Sequence, residues 1–192
     1  MAREKSFDIA ETTREVMHVF RRRGYEATSI KDLEAVTGLK AGSLYNTFGN
    51  KHELFLTALD YYIEHIVTKR IRQFLSGDDP IEDIRALFVS TYVHKLGDCR
   101  GCLLTNTAVE IGNLDERTRD KVIKGMQAFE VEFERLIKKA QRMGLVRAGR
   151  SAAVLARHLL LNYQGLLVMV KLDHSRKTLN SFVDGIVESL RA

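Results

Sequence analysis

Residues 28–56, TSIKDLEAVTGLKAGSLYNTFGNKHELFL, decide the fold. Ile30, Leu33 and Val36 recur at helical spacing, Gly38 supplies a stop, and Leu39, Leu44 and Phe48 resume an apolar stripe on a second short helix. Two short helices joined by a glycine-marked turn fit a helix-turn-helix, whose second helix lies in the major groove of DNA. Asn50 then caps a third helix, with Glu53 three residues on as a variant of the capping box.

The outward face of the second helix strengthens this reading. Lys40, Ser43, Tyr45, Asn46 and Thr47 give it hydroxyls, one amide and one cation, while Ala41 and Gly42 leave the backbone nearly bare. Such residues suit close approach to a phosphate or a base edge, not a core. Lys51 falls in the first turn of the next helix, where the macrodipole disfavours a cation. A phosphate accounts for it, because a helix N-terminus with a lysine is an anion site.

Residues 24–55, GYEATSIKDLEAVTGLKAGSLYNTFGNKHELF, resemble the DNA-binding signature of the TetR family of one-component transcriptional repressors nearly position for position. Two departures stand out: Glu34 replaces a small alanine, and Lys40 replaces a frequent hydroxyl residue. The resemblance implies an all-α fold, with a DNA-binding domain over 1–50 and a ligand-binding and dimerisation domain over 51–192. It also implies Lys40, Ala41, Gly42, Ser43, Tyr45 and Asn46 facing DNA, with Thr28, Ser29 and Lys51 on phosphates. The expected partners are a double-stranded DNA operator, a second copy of the chain and a small-molecule inducer.

Composition agrees. The 192 residues are 45 % hydrophobic and carry a net charge of +5, enough for a core and only mildly basic. The first 52 residues hold nine Lys/Arg against seven Asp/Glu, so DNA binding rests on placement more than bulk charge. Arg21, Arg22 and Arg23 form the one cluster, readable as cations at a helix C-terminus or as phosphate contacts. Arg3 and Lys5 make a basic N-terminal arm. The charged N-terminus lacks a targeting segment, and the apolar run 159–170 is shorter than the ~18 residues of a membrane span, so a cytoplasmic protein with no membrane partner is expected.

With one proline and few strand-like alternations, the chain reads as about nine helices. The first spans about 6–23, a long fourth starts at Lys51 and carries an apolar face to Ile66, and later helices cover 81–96, 101–111, 114–143, 151–172 and 177–191. In the last, Leu179, Phe182, Val183, Ile186, Val187 and Leu190 form an amphipathic stripe. The eighth is apolar around most of its girth, with Leu159, Leu166 and Val170, so a second subunit completing a four-helix interface is expected over coverage within one chain.

Phe55, Tyr62, Phe88, Tyr92, Leu104, Met126, Phe129, Phe133 and Tyr163 are candidate ligand-pocket residues, against the alternative of ordinary core. Asn106, Asn162 and Gln164 need hydrogen-bond partners if buried; a ligand is one possibility, and a neighbouring backbone or the other subunit is the preferred one, although Asn106 also stands among the candidate pocket residues. Cys99 and Cys102 admit three readings: reduced thiols in packing, a thiol sensor, or metal ligands with His94. The segment also looks like one in TetR relatives that sense electrophiles or oxidants. The metal reading lacks a four-ligand set, so no metal or cofactor is expected. Hydrolase, metalloprotease, phosphate-loop and zinc-deaminase signatures are absent, which argues against an enzyme. A helical adaptor would leave Tyr45, Asn46 and Lys51 without a task.

Overall fold

A computed structural model describes residues 7–93, 101–110, 115–172 and 175–191. Among these, all regular structure is helical. Asp8 opens α1 (Ile9–Arg23) by accepting the N–H groups of Ala10 and Glu11. Val16, Met17 and Phe20 form its buried face, and Gly24, at φ 83°, turns the chain out of it. Ser29 opens α2 (Ile30–Thr37) through a capping box with Asp32, and Gly38, left-handed at φ 68°, closes it. The turn delivers α3 (Ala41–Phe48), and Leu33 and Leu44 are fully buried beneath the pair.

Asn50 caps α4 (Lys51–Tyr61) by accepting from His52 and Glu53. The expected capping box is not completed, because the Glu53 carboxylate instead takes a bidentate pair from Arg117, at 2.5 and 2.9 Å. The helix continues through a π segment (Tyr62–Val67) into α5 (Thr68–Phe74). One extra residue per turn there leaves the Ile63 carbonyl to the Thr68 N–H and hydroxyl, and it re-aims the faces that follow. The fourth helix of the sequence reading is thus one rod with a register shift.

The remaining helices are α6 (Pro80–Val93), α7 (Leu103–Glu110), α8 (Glu116–Arg142), α9 (Ala152–Met169, extended by a 3₁₀ turn to Leu172) and α10 (Arg176–Arg191). Counting α4, the π segment and α5 as one, nine rods are described, as the sequence implied. Val122, Gly125, Phe129, Phe133, Leu136 and Ala140 of α8 recur at three and four residues and lie buried, and α9 is the helix that α8 packs on most. Burying each such phenylalanine stabilises the fold by about 1.5–3 kcal/mol. Residues Ala152–Leu172 make a helix of 21 residues, long and apolar enough to cross a membrane by length and composition, which the shorter 159–170 run did not suggest.

Candidate DNA-reading surface and ligand core

The candidate DNA-reading surface is α3 with its two flanks. Lys40, Gly42, Ser43 and Asn46 are exposed, and Ala41, Tyr45 and Lys51 are half-buried. The side chains of Ser43, Tyr45 and Asn46 carry no hydrogen bond among the described residues, whereas the Thr47 hydroxyl is committed to the Ser43 carbonyl. Four of the expected contacts therefore point outward with free donors or bare backbone. Lys51 Nζ sits 4.4 Å above the Tyr25 ring, a cation–π contact that holds the lysine at the helix start. Ser29 is exposed at its cap position. Thr28 differs from expectation: it is 1 % exposed and its hydroxyl donates to the Gly24 carbonyl at 2.5 Å. A β-branched residue in the tight α1–α2 turn is drawn inward to satisfy that carbonyl, so Thr28 braces the turn and does not face a phosphate.

The arginine run is structural at both ends. Arg23 pairs with Asp32 at 2.6 Å, and Arg21 Nε donates to the Gly101 carbonyl at 2.7 Å. The Asp32 carboxyl lies below the usual carboxylate range, chiefly through the Ser29 backbone N–H and then its hydroxyl.

From the other side, α7 grips the same turn. Asn106 Nδ2 donates to the Arg21 carbonyl at 2.9 Å, and the Glu110 carboxylate accepts the N–H groups of Tyr25 and Glu26 at 2.9 Å each. Lys171, at the end of α9, donates to Asn106 Oδ1. Asn106 thus finds the backbone partner preferred for it and joins α7 and α9 to α1, instead of lining a pocket. No sequence motif signalled Glu110; its partners lie about 85 positions away.

The candidate pocket residues divide. Phe88, Phe129, Phe133 and Tyr163 form one aromatic cluster, with ring centroids 5.1 to 6.4 Å apart, and Tyr62 and Leu104 are buried with them in the core. Leu104 packs so closely on Gly125 that a Cβ there would overlap it. Phe55 instead packs on α1 and the turn after it, 5.0 Å from Phe20 and 4.8 Å from Tyr25. Tyr92 leaves the cluster to donate to Asn180 of α10 at 2.7 Å. Met126 is half-buried against the core. Asn162 is exposed and bonds back to the His158 carbonyl, while Gln164 accepts the Thr105 hydroxyl. Surface grooves lie along α10 and between Asp60 and Lys124.

Residues 15–58 match the family described as bacterial regulatory proteins, tetR family, and residues 80–186 match the tetracyclin repressor-like C-terminal domain. This chain belongs to the TetR family. The repressor DhaR of Mycobacterium sp. (strain GP1) is 25 % identical over 90 % of this chain and 86 % of its own length. The uncharacterised regulator YezE of Bacillus subtilis (strain 168) is 29 % identical over 96 % of both. A cysteine-substituted form of the TetR family regulator CifR, complexed with 26-bp double-strand operator DNA, superposes with a TM-score of 0.85 at 26 % identity, covering 98 % of this chain and 100 % of that one. The protein is a DNA-binding transcriptional regulator and not an enzyme.

Membership gives Glu34 its interest. Standing where the TetR signature has a small residue, it places a carboxylate oxygen 2.8 Å from the Ala41 N–H, at the start of α3, whose N-cap, Lys40, supplies no side-chain bond. The anion position of α3 is occupied from within the chain.

Of the expected interface residues, Leu159, Leu166, Leu179, Val183 and Leu190 are buried within the single chain, and Val170 and Ile186 are half-buried against the core. The α8 and α6 helices cover that side of α9 and α10, so the five buried residues belong to the chain's own core. Phe182 remains out, at 49 % exposure, as do Leu161 at 69 %, Val168 and Leu172. Cys99 and His94 lie outside the described residues, with Arg3 and Lys5; Cys102 is buried beside α7. Among the described residues no group of His, Cys, Asp and Glu could hold a metal.

Proposed function

We propose that the chain acts in the cytoplasm as a homodimeric repressor, released from a palindromic operator when a small molecule enters the helical body. In this reading residues 1–50 are the DNA head and 51–192 the ligand and dimer domain. Lys40, Ala41, Gly42, Ser43, Tyr45 and Asn46 meet DNA, and Ser29 and Lys51 meet its backbone. The observation that carries the release mechanism is the double role of α7. Its Leu104 and Thr105 belong to the aromatic body, and its Asn106 and Glu110 hold the α1–α2 turn. A ligand that displaces α7 must change those bonds, and so biases the spacing of the heads by its differential affinity for the two arrangements.

Selection of an operator from random duplex DNA, followed by anisotropy titration, tests this. Tight, salt-dependent binding to a palindrome supports the reading, and binding of one head per duplex removes the dimer from it.

A second reading is supported by Cys102. The thiol is buried at the mouth of α7, with the Tyr62 and Tyr163 hydroxyls within electrostatic reach. Modification there adds bulk at the same helix. Release by a soft electrophile in wild type, and indifference of Cys102→Ser, supports a thiol sensor; wild-type indifference removes it. Cys99→Ser, measured in parallel, reports whether the second thiol takes part.

A further inference from the structure

Polar groups converge on the aromatic cluster from three helices, and their hydrogen bonding is lopsided. Arg70 of α5 reaches Tyr163 Oη with Nε at 3.3 Å and Ser90 Oγ with Nη2 at 2.6 Å, while its guanidinium lies 5.5 Å from the Phe74 ring centre. Ser90 passes its own proton to the Leu87 carbonyl at 2.5 Å. Tyr163 accepts from Arg70, and its hydroxyl proton has no acceptor among the described residues. Arg70 Nη1 likewise has no partner, and no described carboxylate lies within 4.0 Å of the guanidinium.

The cluster therefore holds one cation, a buried hydroxyl proton and a pair of N–H groups without acceptors. The Arg70 side chain is half-buried, and an acceptor that complements both its free N–H groups and its charge is a negative one. With Nε and Nη2 already on Tyr163 and Ser90, the remaining N–H groups of Nη1 and the Tyr163 hydroxyl are the donors left over, and a carboxylate, with two acceptor oxygens, matches them. Phe88 and Phe129, with rings 5.3 and 5.1 Å from that of Tyr163, give the body of the molecule an aromatic surround.

We propose that Arg70 and Tyr163 form the anion-recognising end of the ligand site, and that the ligand is a small carboxylic acid with a largely apolar, flat body. This rests on the small-molecule reading above and specifies its chemistry. Burial pushes the Tyr163 hydroxyl up to about 12, so it keeps its proton across the physiological range and offers it to the carboxylate. Entry requires the aromatic rings to part, and the side chains that part include those packed on α7.

The test uses the full-length chain and three acids, benzoate, cinnamate and hexanoate, against benzamide, cinnamamide and hexanamide, with sodium chloride at matched ionic strength. Thermal unfolding is followed by circular dichroism. At about 10- to 100-fold excess over Kd, a bound acid raises Tm by about 3–10 °C with saturable dose dependence. The amides and the salt leave Tm unchanged. Arg70→Met abolishes the rise, and Arg70→Lys, which keeps the charge without the fork, retains a reduced one. Equal rises with acid and amide, unaffected by Arg70→Met, overturn the anion assignment while leaving a neutral ligand in the body. No rise with any acid overturns it as well, and operator release then judges the small-molecule reading separately. If Arg70→Met does not fold, Arg70→Lys and Tyr163→Phe decide, since both preserve packing: full retention of the rise in both overturns the proposal.

Discussion

The Glu110 carboxylate caps the turn at Gly24: its two oxygens accept the Tyr25 and Glu26 N–H groups, and a Cβ on Gly24 would overlap it. Glycine is required there twice, by that contact and by its positive φ of 83°. Two charge-assisted bonds to backbone N–H are worth about 1.5–3 kcal/mol each when lost without replacement. Glu110→Ala should therefore lower Tm and weaken operator binding while leaving every DNA-facing residue intact. Gly24→Ala should do the same, and the double variant should cost less than the two singles together, because they act on one contact. Additive losses would show that the contact does not join them.

Glu34 and Lys51 should act oppositely on DNA. The Glu34 carboxylate sits on the α3 N-terminus, where it competes with phosphate, so Glu34→Ala should tighten binding to all duplex sequences and steepen the salt dependence by ~1 in log–log slope. Lys51→Ala should weaken binding to all sequences and reduce that slope by ~1. Substitution of Ser43 or Asn46 should instead change base preference at single positions. Anisotropy titrations across a salt series, on specific and random duplexes, separate these effects.

The exposed apolar residues of α9 and α10 give the dimer its test. Leu161→Asp with Phe182→Asp should yield monomers in sedimentation velocity and abolish cooperative operator binding, since both side chains stand clear of the chain's own core. Val183→Asp should unfold the chain by placing a charge among fully buried residues. A dimer that survives the first pair places the interface elsewhere.

The bond from Arg117, more than any other influence, holds the Glu53 carboxyl below its ordinary 4.5. A carboxylate depressed in the folded state contributes stability that is complete above its unfolded value and fades as pH falls through the folded one. Wild-type Tm should therefore fall faster than that of Glu53→Gln as pH drops from about 5 to 3. Parallel curves would mean that exposure and solvent screening leave the pair without effect.

The order and type of the helices were legible in the chain because their signals are local. Gly24, Gly38 and the Ser29 and Asn50 caps punctuate it within four residues, and the periodic apolar stripes of α1, α8 and α10 state which side each helix buries. The outward chemistry of α3 was legible for the same reason, since a short helix with a bare N-terminus exposes whatever its stripe does not use. Which stripe residues face a partner and which face the chain itself was not legible: Phe182 and Val183 are neighbours in sequence, and the packing of α10 alone separates them. The roles of Thr28, Glu34, Asn106 and Glu110 depend on backbone groups brought near by folding, some of them about 85 positions distant. Likewise the surplus of donors around Arg70 arises only where α5, α6 and α9 meet. Periodicity records that a residue is covered; only the tertiary structure decides by what, because hydrogen bonds are set by distance and direction between groups that the sequence leaves far apart.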